Sequence, residues 1–592
     1  MIYKSIHTQL YSASQPLAMY APNISTYTFK IESLKRRKLM LGLMASLAAP
    51  LFSASFSPDS HAIDFGNLIK SSKVNDAKIY KKQLFSKPLQ CKINLNDVQH
   101  NVDARIFGSN LEWFNNAGGL VNQGSDEISQ LTQLAKNQNV KVYRYPGGTL
   151  ADFYHWKEGT GKLSTRPMRK HPTDTGMSSN DFGSPEFFKF LQKTQAEALI
   201  TVNAGTGTAE EAAAWVAYAN SPSNTQRVAD GIDNPVKVKL WEVGNELYLP
   251  GNPGEQVITT KPEVYAERYI KFADAMRKVD PSITVLAIGV TKSHVGPDTE
   301  FTDWTEVLLK KAANKIDMIA VHNAYFPMLY GVKQPSIEQV YPALWAAPEA
   351  VKRSLDALTK LLEKYEGTKK IDIAITEWGA LFSLPFYDPY WVDHVKTLGS
   401  GVYMARLMQV FIGNPRVKLT NYFKLVDRSF MGWINYANQP KVPYYIFQLY
   451  AKYTGDQCLN AVIESPVFNT KAIGIMTAEQ NVSEVTVTAT RNTKLNEIYI
   501  NLVNRSMQNI HQIMFDFTGK LPSNHGELLT ITANEPTAHN GRDIPPEWPY
   551  KLEYEPYSTA ATGSIKPKST QWRLGQTIKL PPFSVATLII KF

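Results

Sequence analysis

Residues 240–248 read Leu-Trp-Glu-Val-Gly-Asn-Glu-Leu-Tyr, and the pattern of this stretch decides how the chain is organised. It starts with the near-continuous apolar character of a strand buried on both faces, as in a parallel sheet covered by helices. It then breaks at Asn245-Glu246, two groups that cost several kcal/mol to bury without partners. A buried strand ending in a carboxylate has two readings. Glu246 is either a satisfied structural group or one half of a catalytic pair.

Working outward, runs of the same kind recur at 104–111, 140–146, 198–203, 284–290, 316–322, 371–377 and 417–425, which with 238–244 makes eight. Between them lie stretches with apolar residues at three- and four-residue spacing, among them 125–139, 184–195, 209–220, 262–279 and 348–365. Eight alternating strand and helix patterns predict an α/β fold, a closed (β/α)8 TIM barrel over 103–454. An open doubly wound sheet is the alternative, but no Gly-rich phosphate loop follows the first strand. After 455 the strands have no helices between them, which predicts a C-terminal β-sandwich over 455–592. A strand at 89–102 could join that sandwich, and the polar segment 63–88 reads as a linker or arm.

The composition is that of a core-forming protein: 43% hydrophobic, 11% aromatic and 20% charged, which excludes a disordered chain. The net charge of +10 invites a nucleic-acid reading, but residues 1–62 carry six basic against two acidic residues, and the remaining basic residues are scattered. Nothing in them tracks phosphates, so no nucleic-acid partner is expected.

Lys35-Arg36-Arg37-Lys38 ahead of the apolar run 39–52 reads as an export signal, Sec or twin-arginine in type, with Met19 an alternative start. The run is too short to span a bilayer, so no integral membrane segment is expected in the mature chain. The expectation is a periplasmic or secreted protein, in which Cys91 and Cys458 either form a disulfide or remain two buried thiols.

In a barrel of this kind, chemistry sits at the C-terminal ends of the strands. Those ends supply Asn110 and Glu112, Arg144, Asn203, Asn245 and Glu246, His322 and Tyr325, Glu377 and Trp378, then Lys424 and Asp427. Singly, each has a structural explanation: a strand-end Asn caps a turn, and a lone Glu pairs with an Arg. Two carboxylates beyond the fourth and seventh strands can face one another across the barrel mouth, as glycoside hydrolysis requires. Their roles must differ, so their surroundings must differ.

The motifs "RIFGSNLEW" (105–113), "YRYPGGTLADFYHWKEGTG" (143–161), "LITVNAGTGTAEEAAAWVAYAN" (199–220), "LWEVGNELY" (240–248), "VHNAYF" (321–326) and "ITEWGA" (375–380), in this order, resemble a clan-A retaining glycoside hydrolase. They are most similar to the family-51 α-L-arabinofuranosidases. The resemblance covers the whole barrel and implies Glu246 as acid/base and Glu377 as nucleophile. It also implies that Asn245 binds the hydroxyl beside the anomeric carbon and that Glu112, Arg144, Asn203, His322, Tyr325, Trp378 and Lys424 line the sugar subsite. A carbohydrate substrate is the implied partner, with no cofactor.

Two positions depart from that pattern: Thr149 stands where Asn usually follows "RYPGG", and Lys424 where Gln usually ends the eighth strand. Either Lys424 pairs with Asp427 or the alignment has slipped, or it accepts a carboxylated sugar. An acidic glycan is therefore the alternative substrate, and a non-catalytic carbohydrate-binding barrel the alternative function. Aromatics at Trp113, Tyr154, Trp156, Trp378, Phe386, Tyr387, Tyr390, Trp391 and Trp433 are candidate stacking surfaces. There is no His/Cys cluster of metal spacing and no Gly-x-Ser-x-Gly elbow.

Overall fold

The computed structural model describes residues 82–541 and 564–591, apart from 86, 115–116, 118–119, 122–128, 171–176, 250–258, 291–302, 384–388, 427–430 and 435–438. The long strand Leu89–Asn101 (β1) precedes the barrel. The barrel strands follow: Gly108–Asn110 (β2), Val142–Tyr145 (β3), Glu197–Val202 (β4), Leu240–Val243 (β5), Thr284–Ile288 (β6), Met318–Ala320 (β7), Asp372–Leu381 (β8) and Val417–Tyr422 (β9). Each is parallel to the next, and β9 pairs back onto β2 through Asn421↔Gly108 and Tyr422↔Ser109, closing the barrel. Closure leaves no free edge.

Side chains two apart on a strand share a face, and this fixes what fills the barrel. The lower inward layer is apolar: Val142, Leu199, Leu240, Leu286, Met318, Ala320, Ala374 and Leu419 form one buried cluster. Two residues further on, the inward positions are Arg144, Thr201, Glu242, His322, Thr376 and Asn421, all buried. A hydrophobic floor therefore carries a polar layer, and the mouth lies above it.

The helix Ile337–Tyr365 departs from the expected start at 348: it runs through Pro342 and Pro348. Its true start is a capping box in which Ser336 Oγ accepts the Gln339 N–H and the Gln339 side chain accepts the Ser336 N–H. An inward stripe including Tyr341, Leu344 and Trp345 holds the first turns down despite the prolines. Among the described residues, no helix is long and apolar enough to cross a membrane.

The C-terminal strands are Gln457–Ile463 (β10), Val485–Asn492 (β11), Glu497–Asn504 (β12), Asn509–Thr518 (β13), His525–Ile531 (β14), Lys568–Arg573 (β15), Ile578–Leu580 (β16) and Ser584–Ile590 (β17). With β1 lying between β13 and β10, they form one sheet curled around a second core that includes Ile93, Ile500, Phe515, Trp572 and Leu588. The disulfide reading fails here. Cys91 stands opposite Ile463 and Cys458 opposite His100 on the β1–β10 pair, nine positions apart along β1. That is about 30 Å of strand. Both thiols are free and buried, and burial raises Cys91 to about 12 and Cys458 to about 11.

The two units are joined through buried charge. Arg505, next after β12, donates from Nη1 to Trp345 O at 2.9 Å and Glu349 Oε1 at 2.8 Å, and from Nη2 to Ser483 O at 2.6 Å. Burial works against the Glu349 carboxylate, but Arg406 and Arg505 outweigh it and hold Glu349 at about 2. Without Arg505, Glu349 keeps Arg406 at 2.9 and 3.0 Å, but the Trp345 and Ser483 carbonyls lose their buried donor. Arg505→Ala should lower urea-unfolding stability by about 2 kcal/mol, and a loss within measurement error would show that this contact does not hold the units together.

Candidate functional site

Arg144, at the end of β3 and fully buried, organises the mouth. Its Nε donates to Glu242 Oε2 at 2.6 Å, Nη1 to Asn110 Oδ1 at 3.1 Å and Glu377 Oε1 at 2.8 Å, and Nη2 to Asn245 Oδ1 at 2.7 Å. One guanidinium thus reaches four groups on three other barrel strands, β2, β5 and β8, or the turns that follow them. Burial opposes its charge, but Glu242 and Glu377 more than compensate and raise it.

Glu377 lies within β8, four residues before its end. The β8–β9 register shifts between Ile375 and Trp378, and irregularities of this kind re-aim side chains at active sites. Thr376 and Glu377 both face the barrel mouth. Glu377 Oε2 accepts from Tyr325 O–H at 2.8 Å, so both its oxygens are held. Burial pushes this carboxyl up, yet His322, Arg144 and the Tyr325 hydrogen bond prevail and lower it below the ordinary glutamate value. The chain also presses close: a Cβ on Gly148 would stand 3.0 Å from Glu377 Oε1.

Glu246 follows a tight turn after β5. Gly244 has φ +78°, and Glu246 itself has φ +41°, a conformation that costs a non-glycine residue about 1–3 kcal/mol. Asp152 pins this turn: its Oδ2 accepts the Asn245 N–H at 2.8 Å and its Oδ1 the Ala204 N–H at 3.1 Å. Glu246 Oε1 meets His322 Nδ1 at 2.8 Å and accepts from Tyr248 O–H at 3.2 Å. His322 Nε2 meets Thr376 Oγ1 at 2.9 Å, and Thr376 donates to Glu242 Oε1 at 2.8 Å. Asn245 Nδ2 is buried without a partner, an amide donor left over.

Other expected site residues are placed differently. Asn203 staples its own loop: Oδ1 accepts from the N–H groups of Gly205, Thr206 and Gly207, while Nδ2 donates to Tyr154 O and Thr206 Oγ1. Its amide is fully engaged by these contacts. Trp378 points away from the mouth: it is fully buried, donates to Thr420 Oγ1 at 2.9 Å and packs on Phe411 and Tyr422.

Lys424 pairs with Glu112, and its Nζ lies 5.6 Å and 5.2 Å from the Phe114 and Phe423 ring centroids. Asp427, the partner weighed from sequence, lies outside the described residues, as do Phe386 and Tyr387. Thr149 opens the short 3-10 helix Thr149–Phe153. Trp113, Tyr154, Trp156, Trp391 and Trp433 are buried against other aromatics, and Tyr390 is partly buried.

Sequence reasoning at the strand ends missed Glu242, Thr201, Thr376 and Asp152. Counting two residues on from the inward apolar Leu240, Leu199 and Ala374 would have exposed the first three as inward polar positions. No local pattern signals Asp152, whose partners lie 93 and 52 residues away. Among the described residues, no group of three His, Cys, Asp or Glu side chains is placed to hold a metal ion.

Residues 134–324 match the family model described as the α-L-arabinofuranosidase 1 domain. Over 462 residues the chain is 25% identical to an intracellular exo-α-(1→5)-L-arabinofuranosidase of Bifidobacterium longum, covering 71% of this chain and 78% of that protein. It is 24% identical to an enzyme of the same name from Acetivibrio thermocellus, over 69% of this chain and 83% of that one. The fold matches a solved family 51 α-L-arabinofuranosidase from B. longum with TM-score 0.71 at 22% identity, covering 86% of this chain and all of the other.

The export expectation is corrected by these names. Both relatives are named intracellular, which stands against export to the periplasm or the medium. A basic cluster before an apolar run is a compositional pattern that does not by itself report a compartment, and residues 1–62 lie outside those described.

Burial raises Asp152 from 3.8 to about 7, against the two N–H groups that favour its charge. The folded state then holds a proton that the unfolded chain gives up near pH 4. The Asp152 contribution to stability is full below about pH 4 and lost as pH rises through about 7. Between pH 5 and pH 8, wild type should lose more stability than Asp152→Asn, by on the order of 2 kcal/mol in urea unfolding. Parallel pH dependences would mean that Asp152 does not titrate in that window.

Proposed function

We propose that this chain is a retaining glycoside hydrolase of the α-L-arabinofuranosidase type, with Glu377 as nucleophile and Glu246 as acid/base. Residues 103–454 are the catalytic unit, and 455–592, with the strand from 89–102, its packed β-module. The observation that carries the reading is the unequal treatment of the two carboxyls around Arg144. Glu377 has a charge or hydroxyl donor on each oxygen and is lowered, as suits a nucleophile that must be ionised. Glu246 instead meets an imidazole and a phenol through one oxygen, as suits a group that gives and takes a proton.

In the first step a Glu377 oxygen bonds to the anomeric carbon while the bond to the leaving oxygen breaks. That oxygen keeps the electron pair and takes the Glu246 proton. In the second step Glu246 removes a proton from water, the water oxygen attacks the same carbon, and the bond to Glu377 breaks to release the sugar. Asn245 Nδ2, buried and unpartnered with its Oδ1 held by Arg144, donates to the hydroxyl beside the anomeric carbon. That contact strengthens as charge develops.

The relatives' names support exo cleavage of terminal α-L-arabinofuranosyl residues. The side chains support a neutral sugar over an acidic one. The Lys424 cation is matched by Glu112 inside the wall, so a second carboxylate would bring unmatched negative charge into a buried site.

Glu377→Ala should lower kcat/KM on an aryl α-L-arabinofuranoside by about 10³-fold or more. Glu246→Ala should regain turnover with azide on an activated aryl glycoside. Near-normal rates in both variants would refute the assignment. Across a panel of aryl glycosides, α-L-arabinofuranoside should lead glucuronide by at least about 10²-fold, and the reverse order would restore the acidic-sugar reading.

A further inference from the structure

Glu246 is the outer end of a buried hydrogen-bonded chain whose inner members fix where its proton can be. Glu242 is held by Arg144 Nε at 2.6 Å and by Thr201 O–H at 2.7 Å, and a carboxylate so placed only accepts. The single hydroxyl hydrogen of Thr376 therefore goes to Glu242 Oε1, 2.8 Å away. Thr376 Oγ1 has only lone pairs left for His322 Nε2 at 2.9 Å, so Nε2 must carry a proton. The proton that can move then lies between His322 Nδ1 and Glu246 Oε1, 2.8 Å apart.

The alternative neutral ring, protonated on Nδ1 alone, would donate to Glu246 Oε1 and favour its ionised form, which has no proton to give. Giving up the Nδ1 proton would leave an imidazolate. With Nε2–H fixed, a protonated Glu246 faces the bare Nδ1, and after donation the pair is an ordinary carboxylate beside a neutral ring.

We propose that Thr376 is a positioning residue for the acid/base: by donating to Glu242 it holds His322 in its Nε2–H form, which keeps one transferable proton on the Glu246–His322 pair. This rests on Glu246 being the acid/base. The proton leaves the Glu246 carboxyl for the leaving oxygen as that oxygen takes the electron pair of the breaking bond. Charges around the ring favour retention of that proton: burial disfavours the imidazolium, but Glu377 and Glu246 outweigh it, with Arg144 opposing them. Thr376 is fully buried, so no water competes for its hydrogen bonds.

Thr376→Val keeps the shape and deletes the hydroxyl, and Thr376→Ser restores the hydroxyl with less bulk. On a phenyl α-L-arabinofuranoside, which needs a proton to leave, the valine variant should lose about 30-fold in kcat/KM. On a 2,4-dinitrophenyl glycoside, which needs none, the change should stay within about three-fold. The basic limb of its pH profile should move to lower pH, because the protonated ring has lost its acceptor, and serine should restore both properties. Equal losses on the two glycosides with an unmoved limb would overturn the proposal.

A second readout does not depend on activity. Nitrogen-15 NMR of histidine-labelled full-length protein, with His322→Gln to assign the signal, should show the Nε2–H form in wild type and its loss in the valine variant. A His322 ring protonated only on Nδ1 in wild type would also overturn it. If wild type cleaves no aryl glycoside, the functional reading fails separately, and the NMR result still decides the Thr376 arrangement.

Discussion

A cation with no access to water sits at the centre of this molecule. Arg144 is completely buried, and its guanidinium is acceptable there only because Glu242, Asn110, Glu377 and Asn245 accept from it at 2.6–3.1 Å. Those acceptors come from strands around the whole barrel, so the barrel has to close before the charge is satisfied. Glu242 accepts in turn from Thr201 and Thr376, and Thr376 meets His322. The polar layer is one network, and both carboxyls of the mouth hang from it.

The same network makes the two carboxyls unlike. Arg144 and Tyr325 hold Glu377 in its charged form through both oxygens. Glu246 sits on a strained turn pinned by Asp152 from the loop after β3 and faces His322. A barrel supplies this asymmetry readily, because each strand ends in a separate loop with its own backbone geometry. The strain at Glu246 is tolerated because Gly244 gives the turn its first left-handed residue and Asp152 holds the Asn245 N–H.

How much of the site was legible depended on whether the signal was local. The eight strands were, because buried apolar runs repeat regularly, and the polar strand ends that supply Arg144, Glu246, His322 and Glu377 could be read off the same runs. Asn203 and Trp378 misled for a related reason: a polar or aromatic residue at a strand end says nothing about which way the loop turns. Asn203 bends back to cap its own turn, and the register shift beside Trp378 sends its ring into the wall. The helix start at 337 was hidden because Pro348 looks like a first turn, whereas the Ser336 capping box lies twelve residues earlier.

By itself the amino-acid order determined the alternation, the number of barrel strands, the switch to an all-β module and the presence of two carboxylates at strand ends. These follow from side-chain periods of 2 and 3.6 residues, which are written along the chain. Tertiary structure alone decided the partners. Lys424 is matched by Glu112, 312 positions away, Asp152 by the Asn245 N–H, 93 away, and Thr376 by Glu242, 134 away. Cys91 and Cys458, which sequence allowed to join, are kept apart by the register of a single strand pair. Partner choice is set by barrel closure and strand register, and neither is a local property of the chain.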